Sequence, residues 1–428
     1  MRNHFHQPVR REKIPLFRPF RHPVFRHLCV ANFMANVGSW MQIFATGWLV
    51  ATHTADPSVA ALAQTLTQIP VFLFSVMGGV LADRYPAWRY LGCVNGGMVL
   101  SAAALAIYCV VATPGISILF IFTFLTATGT ALKASGWQAS MSSLVSAEEI
   151  EAAATLNGLS YNLASVIGPF LGSVLFWLAG PSVLYFTNAV CLISLVIIYI
   201  RLQDRQPQKK SPGTLRYSAL LAEGIRVSAG SKTFRRLLLI TLVVFFPVSA
   251  FQALLPAYVS LSLKGDSHTL GLLMGGFGFG AVVSAFALPT LRSLLERHQL
   301  LTLAALIYGA TLIIFSLTLP QYLLVSVATV GGFAWAGIVS TMNSAAQAVF
   351  GPSIRARALS IYSMCFYGAL TLGSLTWGKM AGAFSLKTAF MCAGCMMLCT
   401  ALYVFTWRQK AADSPVASKL PAFPTDET

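Results

Sequence analysis

Long apolar runs dominate the chain, separated by brief polar turns. Twelve runs stand out, at residues 28–52, 58–82, 90–111, 116–142, 156–179, 183–202, 236–262, 269–291, 299–319, 321–349, 358–382 and 387–407. A helix needs about 20 apolar residues to cross a hydrocarbon core about 30 Å thick. Every run is that long, and several have length to spare for tilt. The pattern therefore predicts an all-α membrane protein with twelve transmembrane helices. Polar stretches frame the runs. Residues 1–26 form a basic N-terminal segment, 203–235 a linker and 408–428 a tail. The linker separates six runs (27–202) from six more (236–407). The two sets share an echo, "AATLNGLSYNLASVIGPFLGS" in the first and "ARALSIYSMCFYGALTLGS" in the second. Two pseudo-symmetric six-helix bundles around a midplane cavity are the build of a rocking secondary transporter.

Composition agrees with a lipid solvent. The 428 residues are 56% hydrophobic and 10% charged, with mean hydropathy +0.70. Soluble domains carry about 25% charged residues. The formal charge of +16 raises nucleic acid as a partner, but the positions of the cations exclude it. With the N-terminus in the cytoplasm, 25 of the 29 Lys and Arg fall in cytoplasmic segments: 1–26, 83–89, 201–236, 292–297, 355–357 and 408–419. That asymmetry obeys the positive-inside rule and predicts both termini in the cytoplasm. The cations hold orientation against anionic membrane lipids. "FRPFRHPVFRH" (Phe17 to His27) suits an interfacial anchor, its Phe rings dipping inward and its Arg staying wet. Residues 1–26 do not look like a cleavable signal peptide. In the linker, "DRQPQKKSPG" reads as flexible, and "LRYSALLAEGIRVSAGSKTFRR" as a surface amphipathic helix. The Pro-rich tail is expected to be disordered.

The eight cysteines all fall in apolar segments, where they act as small hydrophobes. Cys392 and Cys395 form a C-x-x-C without a second pair or a nearby His, so no metal site and no cofactor is expected. G-x-G-x-G in "GLLMGGFGFGAVVS" follows no strand and reads as close helix packing, not a nucleotide site. There is no G-x-x-x-x-G-K-[ST] to power the chain by ATP. Neither H-E-x-x-H nor G-x-S-x-G occurs, and no acid or histidine lies well inside a run. A membrane-embedded enzyme, the rival from another class, therefore has no acid–base groups to work with, and no catalytic residue is assigned.

Between the second and third runs stands "GGVLADRYPAWRYL" (Gly78 to Leu91), with Asp83, Arg84 and Arg89. In the fifth run "ASVIGPFLGS" places Ala164, Gly168 and Gly172 at every fourth position, with Pro169 among them. These stretches, with "GSWMQ" (Gly38 to Gln42), "WQASMSSLVSAEEIEAAATLNGLSYNLASVIGP" and "RARALSIYS", resemble the major facilitator superfamily. Within it they resemble the bacterial subfamily of enterobactin and macrolide exporters, over about residues 25 to 405. The resemblance implies a transporter in the bacterial cytoplasmic membrane that exports a siderophore or a hydrophobic drug. It also implies that Asp83 docks on the start of the eleventh helix, near Arg355 and Arg357, as a latch between conformations. A helix start carries about +0.5 charge, so such docking is favourable; a simple helix cap is the plainer reading. Pro86, Ala87 and Trp88 depart from the family loop, which usually has Gly and further bases there. For the small residues of the fifth run the resemblance implies a tight seal between halves; a helix-packing stripe is the plainer reading. Lysophospholipid movement is the rival within transport.

Lys133 lies inside the fourth run. A cation at the bilayer centre costs about 2.5–3.5 kcal/mol on insertion scales, and such residues usually face a wet cavity. Two readings stand: a stem that snorkels to the cytoplasmic edge, or a cavity cation that binds an anionic group or takes part in coupling. With no buried acid or histidine, proton coupling would have to use Asp83, Lys133 or a loop acid. Uncharged polar residues mark the rest of a candidate cavity for a medium-sized small-molecule substrate: Asn32, Asn36, Ser39 and Gln42 in the first run, Gln64 and Gln68 in the second, Trp137 and Gln138 after Lys133, Asn162 in the fifth, and Trp335 and Asn343 in the tenth. Each could instead bond a neighbouring helix, worth about 0.6 kcal/mol on average. The protein is expected to be monomeric.

Overall fold

The computed structural model describes residues 15–202, 231–317, 319–349 and 352–412, apart from the side chains of Val76, Asp83, Ser135, Ala139, Ser142, Ala147, 352–357 and 406–412. Most of the linker and of the expected surface helix lies outside these residues, its last five, Lys232 to Arg236, forming instead the start of a long helix, and so does the tail from 413 onward. The described residues contain no β-strand. They contain twelve helices of 19 to 32 residues: α1 (Pro23–His53), α2 (Pro57–Arg84), α3 (Ala87–Val111), α4 (Ile116–Ser142), α5 (Ile150–Ala179), α6 (Pro181–Leu202), α7 (Lys232–Ala257), α8 (Ser267–Leu294), α9 (Arg297–Phe315), α10 (Gln321–Ala348), α11 (Pro352–Ala383) and α12 (Leu386–Ala412). Eleven, α2 to α12, are long and apolar enough to cross a membrane. The exception, α1, is long but diluted by Asn32, Asn36, Ser39, Gln42 and Thr46.

Several helices outrun the apolar stretches. α1 starts at Pro23, not 28; α5 at Ile150, not 156; α7 at Lys232 and α11 at Pro352. The boundaries of the N-terminal segment and the linker shift accordingly. Hydropathy stops counting at Arg26, Glu151 or Arg235, whereas backbone hydrogen bonding continues past the hydrocarbon. Proline opens α1, α2, α6 and α11, where its missing N–H costs nothing. Asp56, Ser231 and Asp266 cap α2, α7 and α8 by accepting from backbone N–H groups at 2.8, 3.2 and 2.9 Å. Gly180, at φ +77°, ends α5 directly against Pro181 of α6, a reversal that suits glycine alone. α7 closes in a π-turn, Tyr258–Ser262.

The main helix pairs among the first six are α1–α5, α1–α6, α2–α4, α3–α4 and α3–α6. Among the last six they are α7–α11, α7–α12, α8–α10, α9–α10 and α9–α12. Two large contacts join the sets, α2–α11 and α5–α8. The glycines of α8 explain how closely it packs. A Cβ on Gly278 would lie 2.8 Å from the Ser165 carbonyl oxygen of α5. One on Gly280 would collide with the Thr329 carbonyl of α10, as one on Gly332 would with the Phe277 carbonyl.

The stripe on α5 packs elsewhere than its motif implies. Ala164 is fully buried. Gly168 faces Val37 and Trp40 of α1, and Gly172 faces Met41 and Phe44 of α1. The α5–α8 contact runs instead through Ser165, Val166 and Ser173, with the carbonyl of Pro169, against Gly271, Gly275 and Gly278. Small residues do make the contact between the two sets of helices, but they are the glycines of α8 and the serines of α5, with Pro169 of the motif contributing only its carbonyl.

Candidate transport site

A polar cluster lies between α1, α4 and α5. Lys133 and Trp137 are four apart on one face of α4, and both are buried. Lys133 Nζ donates to Asn32 Oδ1 at 3.4 Å. Asn32 Nδ2 donates to Asn157 Oδ1 at 3.4 Å, and Trp137 Nε1 donates to the same oxygen at 3.0 Å. Lys133 is 9% exposed and turned inward onto α1, which is not the geometry of a stem snorkelling to the membrane edge. Asn157 is half-buried and was not singled out from the sequence. Its four-residue spacing to Tyr161 on α5 is the signal that could have found it. Asn36, one turn along α1 from Asn32, is half-buried.

Gln42 enters a different network. Its Nε2 donates to Thr126 Oγ1 at 3.0 Å, and its Oε1 accepts from Asn188 Nδ2 at 2.6 Å. Asn188 is fully buried. This chain joins α1, α4 and α6 and serves packing within the first six helices.

A third group spans the two sets of helices. Gln64 Nε2 donates to Gln252 Oε1 at 3.1 Å. Thr65 and Ser374 hydroxyls share a bond of 2.7 Å. Ser260 Oγ donates to the Ala51 carbonyl at 3.1 Å. These contacts gather where α1 ends, α2 begins, α7 ends and α11 ends. Gln68, one turn beyond Gln64, is buried. Gln252 was not singled out; it becomes visible only once α2 and α7 are known to be neighbours.

An aromatic group lines the last six helices. Phe245 meets Phe366 at 4.4 Å and Trp335 at 6.0 Å between ring centroids, and Phe366 meets Tyr367 at 4.8 Å. Trp335 is the member anticipated from sequence. Opposite, Trp40 and Tyr161 lie 5.9 Å apart. Gln138 and Asn343 are exposed, and Asn162 is half-buried; none of the three joins a cluster described here. Gln138 is adjacent in sequence to Trp137 but about 100° around the helix, so it points elsewhere.

At the α2–α3 turn, Asp83 is the penultimate residue of α2, and its side chain lies outside the described residues, as do those of Arg355 and Arg357. Arg84 is exposed, its guanidinium 5.9 Å from the Tyr85 ring centroid, and Arg89 is exposed. Trp88, one of the departures from the family loop, is buried and stacks on Tyr199 of α6 at 6.0 Å.

The N-terminal basic segment has a specific anchor. Arg18–Arg21 forms one 3-10 turn. Arg18 Nε pairs with Glu149 Oε1 at 3.2 Å, and His22 Nε2 lies 2.8 Å from Glu149 Oε2. Glu149 also closes a capping box with Ser146 at the start of α5. The hydrogen bond to His22 holds its carboxyl below the usual carboxylate range, helped by Ser146 and opposed by burial. Among the described residues no group of His, Cys, Asp and Glu could hold a metal ion.

The architecture is that of solved transporters. The fold matches a variant of the nucleoside transporter NupG at TM-score 0.73 and 13% identity, covering 90% of this chain and 99% of that one. It matches a bacterial homologue of the iron transporter ferroportin, in an inward-facing state, at TM-score 0.70 and 16% identity, covering 90% and 98%. In sequence, the chain is 24% identical to the multidrug efflux pump Tap of Mycolicibacterium fortuitum, over 91% of this chain and 96% of that protein. It is 21% identical to the staphyloferrin A transporter of Staphylococcus aureus, over 89% and 95%. It is 26% identical to the enterobactin exporter EntS of Citrobacter koseri, over 75% and 76%. The sequence profile described as transmembrane secretion effector matches residues 14–427, and the chain belongs to that family of the major facilitator type. The chain is thus a multi-pass inner-membrane secondary transporter of small molecules, and not an enzyme.

Proposed function

We propose that the protein exports a medium-sized amphiphilic organic molecule, a siderophore or a hydrophobic drug, by alternating access. In this reading α1 is the twelfth crossing, and residues 27–202 and 236–407 are two pseudo-symmetric bundles. The observation that carries it is the packing pattern. Moving six helices along the chain turns α1–α5 into α7–α11, α2–α4 into α8–α10 and α3–α6 into α9–α12. The same step turns α2 against α11 into α8 against α5. Such an arrangement suits two bundles that rock about contacts of equivalent construction. The polar content of α1 fits a helix that faces an aqueous cavity instead of lipid.

The cations supply the orientation: both termini are cytoplasmic, and the Gln64–Gln252 and Thr65–Ser374 bonds close the opposite, periplasmic side. The cavity lies between the Lys133 cluster and the Phe245–Trp335–Phe366 group. Asp83 serves as a latch that forms with the start of α11 when the cytoplasmic side shuts. Coupling is to a proton, and the unit is a monomer.

A deletion strain tests direction and cargo together. Comparison of small molecules in cells and medium should find at least one amphiphile retained inside the mutant and returned to the medium by the restored gene. A compound that the mutant instead fails to take up reverses the direction.

A further inference from the structure

We propose that Lys133, Asn32, Asn157 and Trp137 recognise a carboxylate carried by the transported organic solute. The inference deepens the transport reading and rests on it.

The hydrogen-bond arithmetic of the cluster is one-sided. An indole N–H and an ammonium can only donate. Trp137 therefore requires Asn157 to present its oxygen, and Lys133 requires the same of Asn32. Asn32 then has its amide nitrogen left to meet the Asn157 oxygen, which is the contact at 3.4 Å. Both amide orientations are forced by partners that have no alternative. The cluster holds three N–H donors on Lys133, two on each asparagine and one on Trp137, of which three are used. Those three already occupy most of the lone-pair sites on the two amide oxygens. What remains is a formal cation and a surplus of donors, with scarcely an acceptor to receive them.

No negative charge among the described residues answers it. Among the described residues the buried charged ones are Lys133 and Glu149. Glu149 is taken up by Arg18 and His22 at the end of the bundle. Lys133 lies nine residues inside the end of α4, about 14 Å along the axis. A desolvated cation with spare donors selects an oxyanion, which accepts several N–H bonds and has none to give. The cluster also has a way in. Asn157 is half-buried, and Tyr161, four residues along the same face of α5, is 51% exposed beside Trp40. The solute thus has an anionic head for Lys133 and a flat apolar body for the Trp40–Tyr161 wall.

The test uses the purified full chain in detergent with two probes, 2-naphthoate and its uncharged analogue 2-naphthamide, bound by equilibrium dialysis. The wild type should prefer the acid at least ten-fold. Lys133→Gln should bring the ratio to within two-fold of one, while Lys133→Arg should keep it within three-fold of wild type. Should Lys133→Gln fail to elute as a single folded species, Asn157→Asp gives the same reading, because it puts a negative charge into the cluster that offsets that of Lys133 and should abolish the preference. A wild-type ratio near one, including binding of neither probe, overturns the proposal. So does a preference that survives Lys133→Gln or Asn157→Asp. Efflux of each probe from preloaded cells separates this from the export reading. Outward movement without acid preference leaves the exporter and removes the carboxylate site. A Lys133-dependent preference in a protein that moves neither probe outward supports the site and removes the exporter.

Discussion

The Thr65–Ser374 contact offers a direct way to stop the transport cycle. The two hydroxyl oxygens are 2.7 Å apart across α2 and α11, and both residues are almost wholly buried. A disulfide needs its sulfurs at about 2.05 Å, so thiols in those places have only about 0.7 Å to close. The pair Thr65→Cys and Ser374→Cys, in a background with the eight native cysteines replaced, should therefore cross-link on mild oxidation. Loss of the hydroxyl pair costs about 0.5–1.5 kcal/mol, too little to unfold the protein. The magnitude of the effect follows from geometry. If the two sets of helices must part at this point in every cycle, each cross-linked molecule is silent. Residual transport should then equal the uncross-linked fraction, so a preparation 90% cross-linked retains about a tenth of its rate. The assay is dye uptake into everted vesicles, with the cross-linked fraction read from a gel after cleavage at a protease site placed in the linker. A reductant should restore the rate, and each single cysteine variant should be insensitive to oxidant. A fully cross-linked preparation that transports at the reduced rate would refute the reasoning, because the contact would then not open during transport.

Other perturbations test particular contacts. Gly280→Ala drives a methyl into the Thr329 carbonyl of α10 and should destabilise by about 1–3 kcal/mol. Gly97→Ala, with nothing within 4 Å, should stabilise by about 0.5–1 kcal/mol; thermal unfolding in detergent should move the two variants in opposite directions. Glu149→Gln should speed tryptic cleavage after Arg21, the Arg18–Pro19 bond being resistant to trypsin. Because the Glu149 carboxyl is held below its ordinary range, its stabilisation is complete above an unfolded value of about 4.3 and is lost as pH falls through the lower folded one. The difference in melting temperature between wild type and Glu149→Gln should accordingly shrink as pH falls below about 4. Asp83→Asn should leave membrane insertion intact and slow transport, as measured by vesicle uptake; an unchanged rate removes the latch.

The spans were legible because lipid sets a demanding rule: a helix facing hydrocarbon must be apolar for its whole length, and that writes itself into the sequence. α1 is the instructive case. It read as an apolar run, yet it alone stands outside the eleven helices that satisfy length and apolarity, since much of its surface meets other helices. Neighbours were harder to read than faces. The spacing of Ala164, Gly168 and Gly172 correctly defines one face of α5, but nothing in a period of four says that α1 lies on it and α8 beside it. Lys133 was conspicuous as an isolated charge. Asn157, its indirect partner through Asn32, was not, because a lone asparagine on a helix has no signature until the facing helices are placed. Glu149 carried no signature either, for the same reason. Its partners, Arg18 and His22, are more than a hundred positions away in the chain.

The glycines of α8 fall on two sides. Gly276 and Gly280 seat the helix on α10, where backbones nest so closely that no side chain could intervene. Gly271, Gly275 and Gly278 turn toward α5 and present it with a surface almost free of protrusions. Interlocked side chains resist shear, because each knob must climb out of its hole before the next is reached. A bald flank against α5 removes that ratchet, while the nested flank keys α8 to α10 as a single slider. The chain thereby acquires a lubricated bearing on one side of a helix and a weld on the other.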